Sequence, residues 1–519
     1  MLKKVVMKRP CFQAAFLCVL LVLVACQQDG SDDNDDKQAY WEQRIRALAT
    51  LGACPRTAGT AGAELSAESV CGTFTVPENP HEPEGRQIAL RLMVVPALSD
   101  LPEPDPLFLL AGGPGQAGTD LAALLPVFNA VRTDRDIILL DQRGTGELSP
   151  FDCQLDEEKG RELVLQDPGY EEILDIQLQV VRDCLATMEA DPVWYTTDIA
   201  MQDLEAVRRF FGYTSVNLWG ASYGSRAALA YLQAFEENTR TVIIDAIAPP
   251  SLALPLFTAR DASASLEQVF VDCASDSSCN TAFPNLRQHY RDLIARLATP
   301  EPITVPLESD LSEVGGTLAD YEFMNVLRQV LYSREVQRLV PLMIEQAWRG
   351  NYRPLLGLGA LAGEGGINQG MFLSVICNED LSLISEQDRL DAQAADYLLD
   401  SSLFEDFVFK ACELWPTREV PAAYFEPVTV GRPVLIFSGT LDPVTPPSLG
   451  ELVQKSLPNA IHLVLEGFGH GTTTSGCTRN LMNTFIDTGS LDDLDTSCVG
   501  RFHRRPFFVT PGGSELPND

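Results

Sequence analysis

Histidine is scarce in this chain, at five in 519 residues, and no two cysteines stand as Cys-x-x-Cys. Zinc sites are built from those side chains at such spacings, so no metal is expected, and nothing else in the sequence calls for a cofactor. Positive charge is thin as well: 38 Lys and Arg face 72 Asp and Glu, a net charge of −34. Apart from the short cluster Arg501, Arg504 and Arg505 there is no basic patch to displace counterions from a phosphate backbone, which excludes nucleic acid as a partner. Long apolar runs are absent except for Ala14–Ala25, and those twelve residues are too few to span a hydrocarbon core of ~30 Å as a stable helix. No internal repeat is visible, which excludes a solenoid. What remains is a globular composition, 45% apolar and 21% charged, long enough for one large or two to three modest domains.

The apolar run suits an export signal. Lys3, Lys4, Lys8 and Arg9 form a positive flank before it, and Leu23-Val24-Ala25-Cys26 ends it. Those four residues resemble a bacterial lipobox, which implies cleavage after residue 25 and a lipid on the Cys26 thiol. Gln27 in the next position resembles lipoproteins sorted to an outer membrane, facing the periplasm of a two-membrane bacterium. Residues 26–44 open with five aspartates between Gln27 and Lys37 and no apolar side chain there, and read as an acidic, solvated tether. Loss of residues 1–25 removes four positive charges, leaving 34 − 72 = −38.

Export also gives the cysteines a role. Of thirteen, Cys11 and Cys18 leave with the signal and Cys26 takes lipid. Ten remain: Cys54, Cys71, Cys153, Cys184, Cys273, Cys279, Cys377, Cys412, Cys477 and Cys498. An even number in an exported protein reads as disulfides. Pairing nearest neighbours would make five local staples, with Cys377–Cys412 among them, though spacing alone does not choose among connectivities.

Strands and helices alternate along the chain. Cys71–Pro77 and Gln87–Val95 alternate as two strands about a turn-rich Pro80–Gly85. Leu107–Leu110, Ile137–Leu140 and Val216–Trp219 are short solid apolar runs, as parallel strands buried on both faces require. Before the last of these, Leu204, Val207 and Phe211 fall at helical spacing and Gly212 reads as the stop. Thr241–Ala246, Pro433–Ser438 and Ile461–Leu465 complete a mostly parallel sheet of about eight strands with crossover helices. Residues 251–430 break this rhythm, read as mainly helical, and are too long for a loop. The expected organisation is a core in two parts, 45–250 and 431–519, with 251–430 inserted as a cap over the carboxyl end of the sheet.

The sharpest signal follows the strand Val216–Trp219. Gly220-Ala221-Ser222-Tyr223-Gly224 stands between that strand and a helical stretch beginning at Ser225. Gly-x-Ser-x-Gly in this context is a nucleophile elbow, a turn so tight that small residues must flank the serine. A serine hydroxyl needs a base, and the base an orienting acid. His81 falls in a hairpin turn, His289 in a cap helix, His462 on a strand and His503 in the tail. His470, in Glu466-Gly467-Phe468-Gly469-His470-Gly471, follows the last strand, where a Gly-rich loop can bring an imidazole over Ser222. Asp442 follows the strand before it. The chain order Ser222, Asp442, His470 is that of an α/β-hydrolase.

Gly113, Gly115 and Gly118 also fit Gly-x-Gly-x-x-Gly after a strand, with Asp141 near the position of a ribose-binding acid. Pro114 removes a backbone donor from that loop, two strands precede it, and export removes the chain from dinucleotides. Under the hydrolase reading the same turn supplies an oxyanion hole, with N–H groups from Gly113 and Tyr223.

Gly112-Gly113-Pro114-Gly115, Asp141-Gln142-Arg143-Gly144-Thr145-Gly146, the elbow and the Asp442 and His470 loops together resemble prolyl iminopeptidases. They resemble more closely the larger secreted relatives of these enzymes, the tripeptidyl-aminopeptidase-like α/β-hydrolases, from about Cys71 to Cys498. Ser374-Val375-Ile376-Cys377-Asn378-Glu379-Asp380 is similar to a segment those relatives carry before the acid strand. Ala111 stands where prolyl iminopeptidases usually have histidine, so strict proline specificity is not implied. The resemblance implies a serine aminopeptidase releasing residues or short peptides from free N-termini through an acyl-enzyme, with Glu379 as anchor for the substrate ammonium. Asp141 and Arg143 are expected to brace the oxyanion loop by internal hydrogen bonds. An esterase or lipase on the same triad is the alternative, because the fold does not fix the acyl group; a catalytically dead binding module stands third. The protein is expected to act as a monomer, held to the envelope by its lipid alone.

Overall fold

The computed structural model describes residues 31–55, 68–151, 153, 169–306, 313–362, 366–400 and 402–515. The expected signal segment and Cys26 lie outside the described residues.

Nine strands form the main sheet: β1 (Gly52–Ala53), β2 (Val70–Pro77), β3 (Gln87–Val95), β4 (Leu107–Leu110), β5 (Ile137–Leu140), β6 (Val216–Ser222), β7 (Thr239–Ile247), β10 (Val434–Gly439) and β11 (Ala460–Leu465). The order is β1-β2-β3-β5-β4-β6-β7-β10-β11, antiparallel from β1 to β5 and parallel beyond. The count exceeds the expected eight by β1, a two-residue edge strand too short to leave a pattern. The solid apolar runs behave as parallel strands should. Leu107 and Leu109 face one core cluster while Phe108 and Leu110 face the other, and Ile137 and Leu139 divide from Ile138 and Leu140 in the same way. The helix Thr197–Phe211 ends at Gly212, whose φ of 77° gives the left-handed cap.

The cap lies between β7 and β10 and has its own apolar cluster, built from residues such as Leu266, Phe323, Leu327 and Ile344. Besides its helices it carries a hairpin, β8 (Glu301–Pro306) with β9 (Glu313–Leu318), where only helices stood out in the sequence. The ends of the chain also depart from the expected division. A helix spans Ser31–Leu48, across the boundary placed after residue 44. Tyr40 and Arg44, one turn apart, are buried on the core, and Arg44 grips Asp136 through two hydrogen bonds of 2.6 Å. At the other end Phe507 and Val509 pack into the cap cluster and not the core.

The ten cysteines pair as neighbours: Cys54–Cys71, Cys153–Cys184, Cys273–Cys279, Cys377–Cys412 and Cys477–Cys498.

Candidate active site

The elbow is a product of close approach. A Cβ on Gly220 would lie 2.1 Å from the Gly224 carbonyl oxygen, and one on Gly224 would lie 2.2 Å from that of Leu110. Only glycine fits at either place. Ser222 itself takes φ 58° and ψ −127°, outside the ordinary wells for a side-chain-bearing residue. Ser225 Oγ locks the turn from below by donating to the Ser222 carbonyl at 2.6 Å and accepting the Ala248 N–H at 2.9 Å.

Asp442 stands just past β10, buried. Its Oδ1 accepts the N–H groups of Val444 and Thr445, both at 2.9 Å, and its Oδ2 accepts the Thr445 hydroxyl at 2.8 Å. His470 Nδ1 lies 3.0 and 2.9 Å from the two carboxylate oxygens. A proton on Nδ1 donates to Asp442, which leaves Nε2 as the acceptor. Burial opposes charging the ring, but the charge and hydrogen bond of Asp442, with Asp245 behind it, hold its pKa above the ordinary 6.5. The cap secures the loop from above: His470 N–H donates to the Tyr332 carbonyl at 2.8 Å, and the Tyr332 ring meets the imidazole edge-on at 5.0 Å.

Asp245, near the end of β7, was not singled out in the sequence. Its fully buried carboxylate accepts the N–H groups of Thr472 (2.6 Å) and Thr473 (3.0 Å), so it pins the chain just after His470. The signal was there: one acid among the apolar residues of Thr241–Ala246.

The Gly-rich loop lies against the nucleophile, with an ideal Cβ on Gly112 at 3.5 Å from Ser222 Cβ. Gly112 N–H is engaged by Gln116 Oε1 at 3.2 Å, and Gly113 follows it at φ 101°. Cap residues brace this loop, Asn368 N–H donating to the Gly115 carbonyl at 3.0 Å. Asp141 Oδ1 accepts the Thr119 N–H at 2.8 Å, which ties the far end of the loop to β5. Arg143 is placed differently. It pairs with Asp203 through two 2.8 Å bonds and donates to the carbonyls of Glu78 and Trp194, joining the β2–β3 hairpin to the helix Thr197–Phe211.

Ser222, His470, Gly113 and Tyr223 all line one cavity of about 940 Å³, a size suited to a drug-sized ligand. His470 is the one histidine there; His81 packs on Trp194, His289 stacks on Trp348, and His462 bonds Ser438. Glu379, expected as the ammonium anchor, is corrected by its surroundings. It sits in a π-helical turn, Ile376–Asp380, fully buried and outside the cavity wall. One oxygen accepts the Thr197 N–H at 2.7 Å, the other the hydroxyls of Thr197 (2.9 Å) and Tyr424. Both oxygens are thus engaged inside the protein, away from the cavity, and burial pushes its pKa up to about 7 despite Arg226 and Tyr424. Thr197 Oγ1 lies 2.8 Å from the Tyr223 hydroxyl, so Glu379 braces the residue that follows the nucleophile. Among the described residues that line the cavity there is no carboxylate. Among the described residues no three His, Cys, Asp or Glu converge as a metal site.

Residues 105–280 match the family model described as the alpha/beta hydrolase fold, and residues 398–498 match that of TAP-like protein. The chain is similar to serine protease Hip1 of Mycobacterium tuberculosis, at 23% identity over 517 residues, covering 93% of this chain and 96% of that protein. It is similar to the tripeptidyl aminopeptidase of Streptomyces coelicolor, at 22% identity over 504 residues, covering 90% of this chain and 91% of that protein. The crystal structure of proline iminopeptidase from Mycobacterium smegmatis aligns at a TM-score of 0.34 and 14% identity, over 80% of this chain and 95% of that one.

Proposed function

We infer that this chain, an α/β-hydrolase with a TAP-like carboxyl-terminal region, is a serine-type peptidase that releases residues or short peptides from free N-termini. The observation that carries the reading is convergence. The ends of β6, β10 and β11 deliver Ser222, Asp442 and His470 to one place, with Asp442 bonded to His470 and both Ser222 and His470 facing the cavity.

The chemistry follows from that placement. Ser222 Oγ attacks the scissile carbonyl as its proton passes to His470 Nε2, and Asp442 steadies the imidazolium. The N–H groups of Gly113 and Tyr223 receive the negative oxygen that develops. Collapse expels the amine, which takes the proton from His470 and leaves an acyl ester on Ser222. Water, deprotonated by His470, then attacks that ester, and the carboxylic acid departs with Ser222 reprotonated.

Cys26 with its lipobox-like flank supports a lipid anchor, which would hold the enzyme in a bacterial envelope, at the outer membrane facing the periplasm. The deciding experiment compares aminoacyl and tripeptidyl chromogenic amides with short acyl esters. Hydrolysis of free-amine amides that N-acetylation abolishes is the expected result. Hydrolysis of esters alone would replace the peptidase reading with the esterase one.

A further inference from the structure

The charged side chains of the cavity wall are few, and they are not equivalent. Arg226 is neutralised: its guanidinium is buried, pairs with Asp380 and donates to the Leu252 carbonyl at 2.9 Å. Arg328 differs. It lies on the cap helix Asp320–Tyr332, one turn before the carbonyl that holds His470 N–H, and is partly exposed. Among the described residues it makes a single hydrogen bond, from Nη2 to Asn325 Oδ1 at 2.9 Å, and pairs with no carboxylate. The cavity it lines is mostly apolar, with surfaces such as Val330, Val336, Phe372 and Phe404.

We propose that Arg328 is a specificity residue that binds a carboxylate of the peptide substrate, either an acidic side chain or the free C-terminal carboxylate. The proposal rests on the peptidase reading and adds the substrate class. A guanidinium presents a planar fork of N–H groups that matches a carboxylate with two parallel bonds. Arg328 lines the cavity, and the one hydrogen bond its fork makes among the described residues is to Asn325. An apolar wall lowers the local dielectric and strengthens the pair over its value in water. The chain's net charge of −34 repels an acidic peptide at long range. That repulsion is screened beyond ~8 Å at physiological salt, so the contact inside the cavity decides the outcome. The positive charge of Arg328 keeps a substrate ammonium away from that corner and so orients a short peptide, carboxylate toward the cap helix and amine away from it.

Calorimetric titration of the Ser222→Ala protein reads binding without turnover, so its result stands apart from the fate of the peptidase reading. The probes are Ala-Glu-Ala and Ala-Gln-Ala, each with a free or an amidated C-terminus. If the source is the side chain, the Glu peptide should bind roughly 10- to 100-fold tighter than the Gln peptide whatever its terminus. If it is the terminus, amidation should cost a similar factor with either residue. Arg328→Gln in the same background should abolish the preference that is found, and Arg328→Glu should reverse it for a Lys-containing peptide. Equal binding of all four probes, no binding of any, or a preference that persists in Arg328→Gln overturns the proposal. Loss of binding by all four probes to the same extent in Arg328→Gln, with no change in their ratios, would mean a structural role and overturns it as well.

Discussion

Asp245 receives both the backbone N–H and the side-chain hydroxyl of Thr472, at 2.6 and 3.2 Å. The loop carrying His470 is therefore fixed from the sheet below as well as from Tyr332 above. Asp245→Asn can keep an oxygen on the two N–H groups but removes the carboxylate charge that strengthens those bonds, so the loop should loosen while the fold persists. Turnover should fall about 10- to 100-fold with little change in KM, the scale of a catalytic group displaced by ~1 Å. Steady-state kinetics on a single amide substrate checks this, and a fall confined to KM would remove Asp245 from the role.

Ser222→Ala should lower turnover by ~10⁶-fold, as loss of a triad nucleophile does elsewhere. A fluorophosphonate probe should label Ser222 alone, and labelling that survives the change would refute the assignment. Asp442→Asn should cost less, ~10⁴-fold, because the wrong imidazole tautomer disables the base while the oxyanion donors remain.

The pH dependence follows from the carboxylates around His470. A neutral ring is needed to accept the serine proton, and Asp442 and Asp245 raise its pKa above 6.5 against the opposing effect of burial. Activity should thus fall as pH drops through a value above 6.5. Burial raises Asp245 itself to about 6, so it is mostly charged where His470, held above 6.5, begins to titrate. Removing its charge in Asp245→Asn should move the acid limb to lower pH. A limb that stays in place in the variant would show that Asp245 does not act on the ring electrostatically.

Glu379→Gln should impair free-amine amides and neutral esters alike, since Glu379 braces Thr197 and Tyr424 and does not reach the cavity. Its pKa is raised from 4.5 to about 7, chiefly by burial. The folded state therefore holds a proton that the unfolded state releases between those values. This group's contribution to stability is full below 4.5 and declines as pH rises through about 7. Melting temperatures over that interval should fall less steeply with pH in the variant than in the parent. Damage confined to amine substrates would restore Glu379 as their anchor.

Replacing Cys377 and Cys412 by serine should cost about 4 kcal/mol, against about 2 kcal/mol for Cys273 and Cys279, because their sequence separations are 35 and 6. Denaturant titrations of the two variants compare these costs directly. Equal losses would mean that chain entropy is not what these bonds supply.

The elbow was legible because its glycines answer to a local demand, contacts near 2 Å that no Cβ survives. Asp442 and His470 were legible because they end strands in the order such a site requires. Glu379 was not, since a sequence shows an acid near the site without showing which way it faces; here its oxygens turn to Thr197 and Tyr424. The strand Gly52–Ala53 escaped for want of length, and the hairpin β8–β9 because its strands are interrupted by proline and glycine. Arg44 within an acidic stretch gave no sign of Asp136, 92 residues on, as its partner.

The insertion of the cap between β7 and β10 has a consequence for biosynthesis. β10 finds its place beside β7, Val434 opposite Val242, only after the whole cap has been made. A nascent or truncated chain that stops before Val434 carries Ser222 with neither its acid nor its base. Such a fragment is disarmed by construction, and the hydrolase gains its bite only in a chain that has been translated through His470.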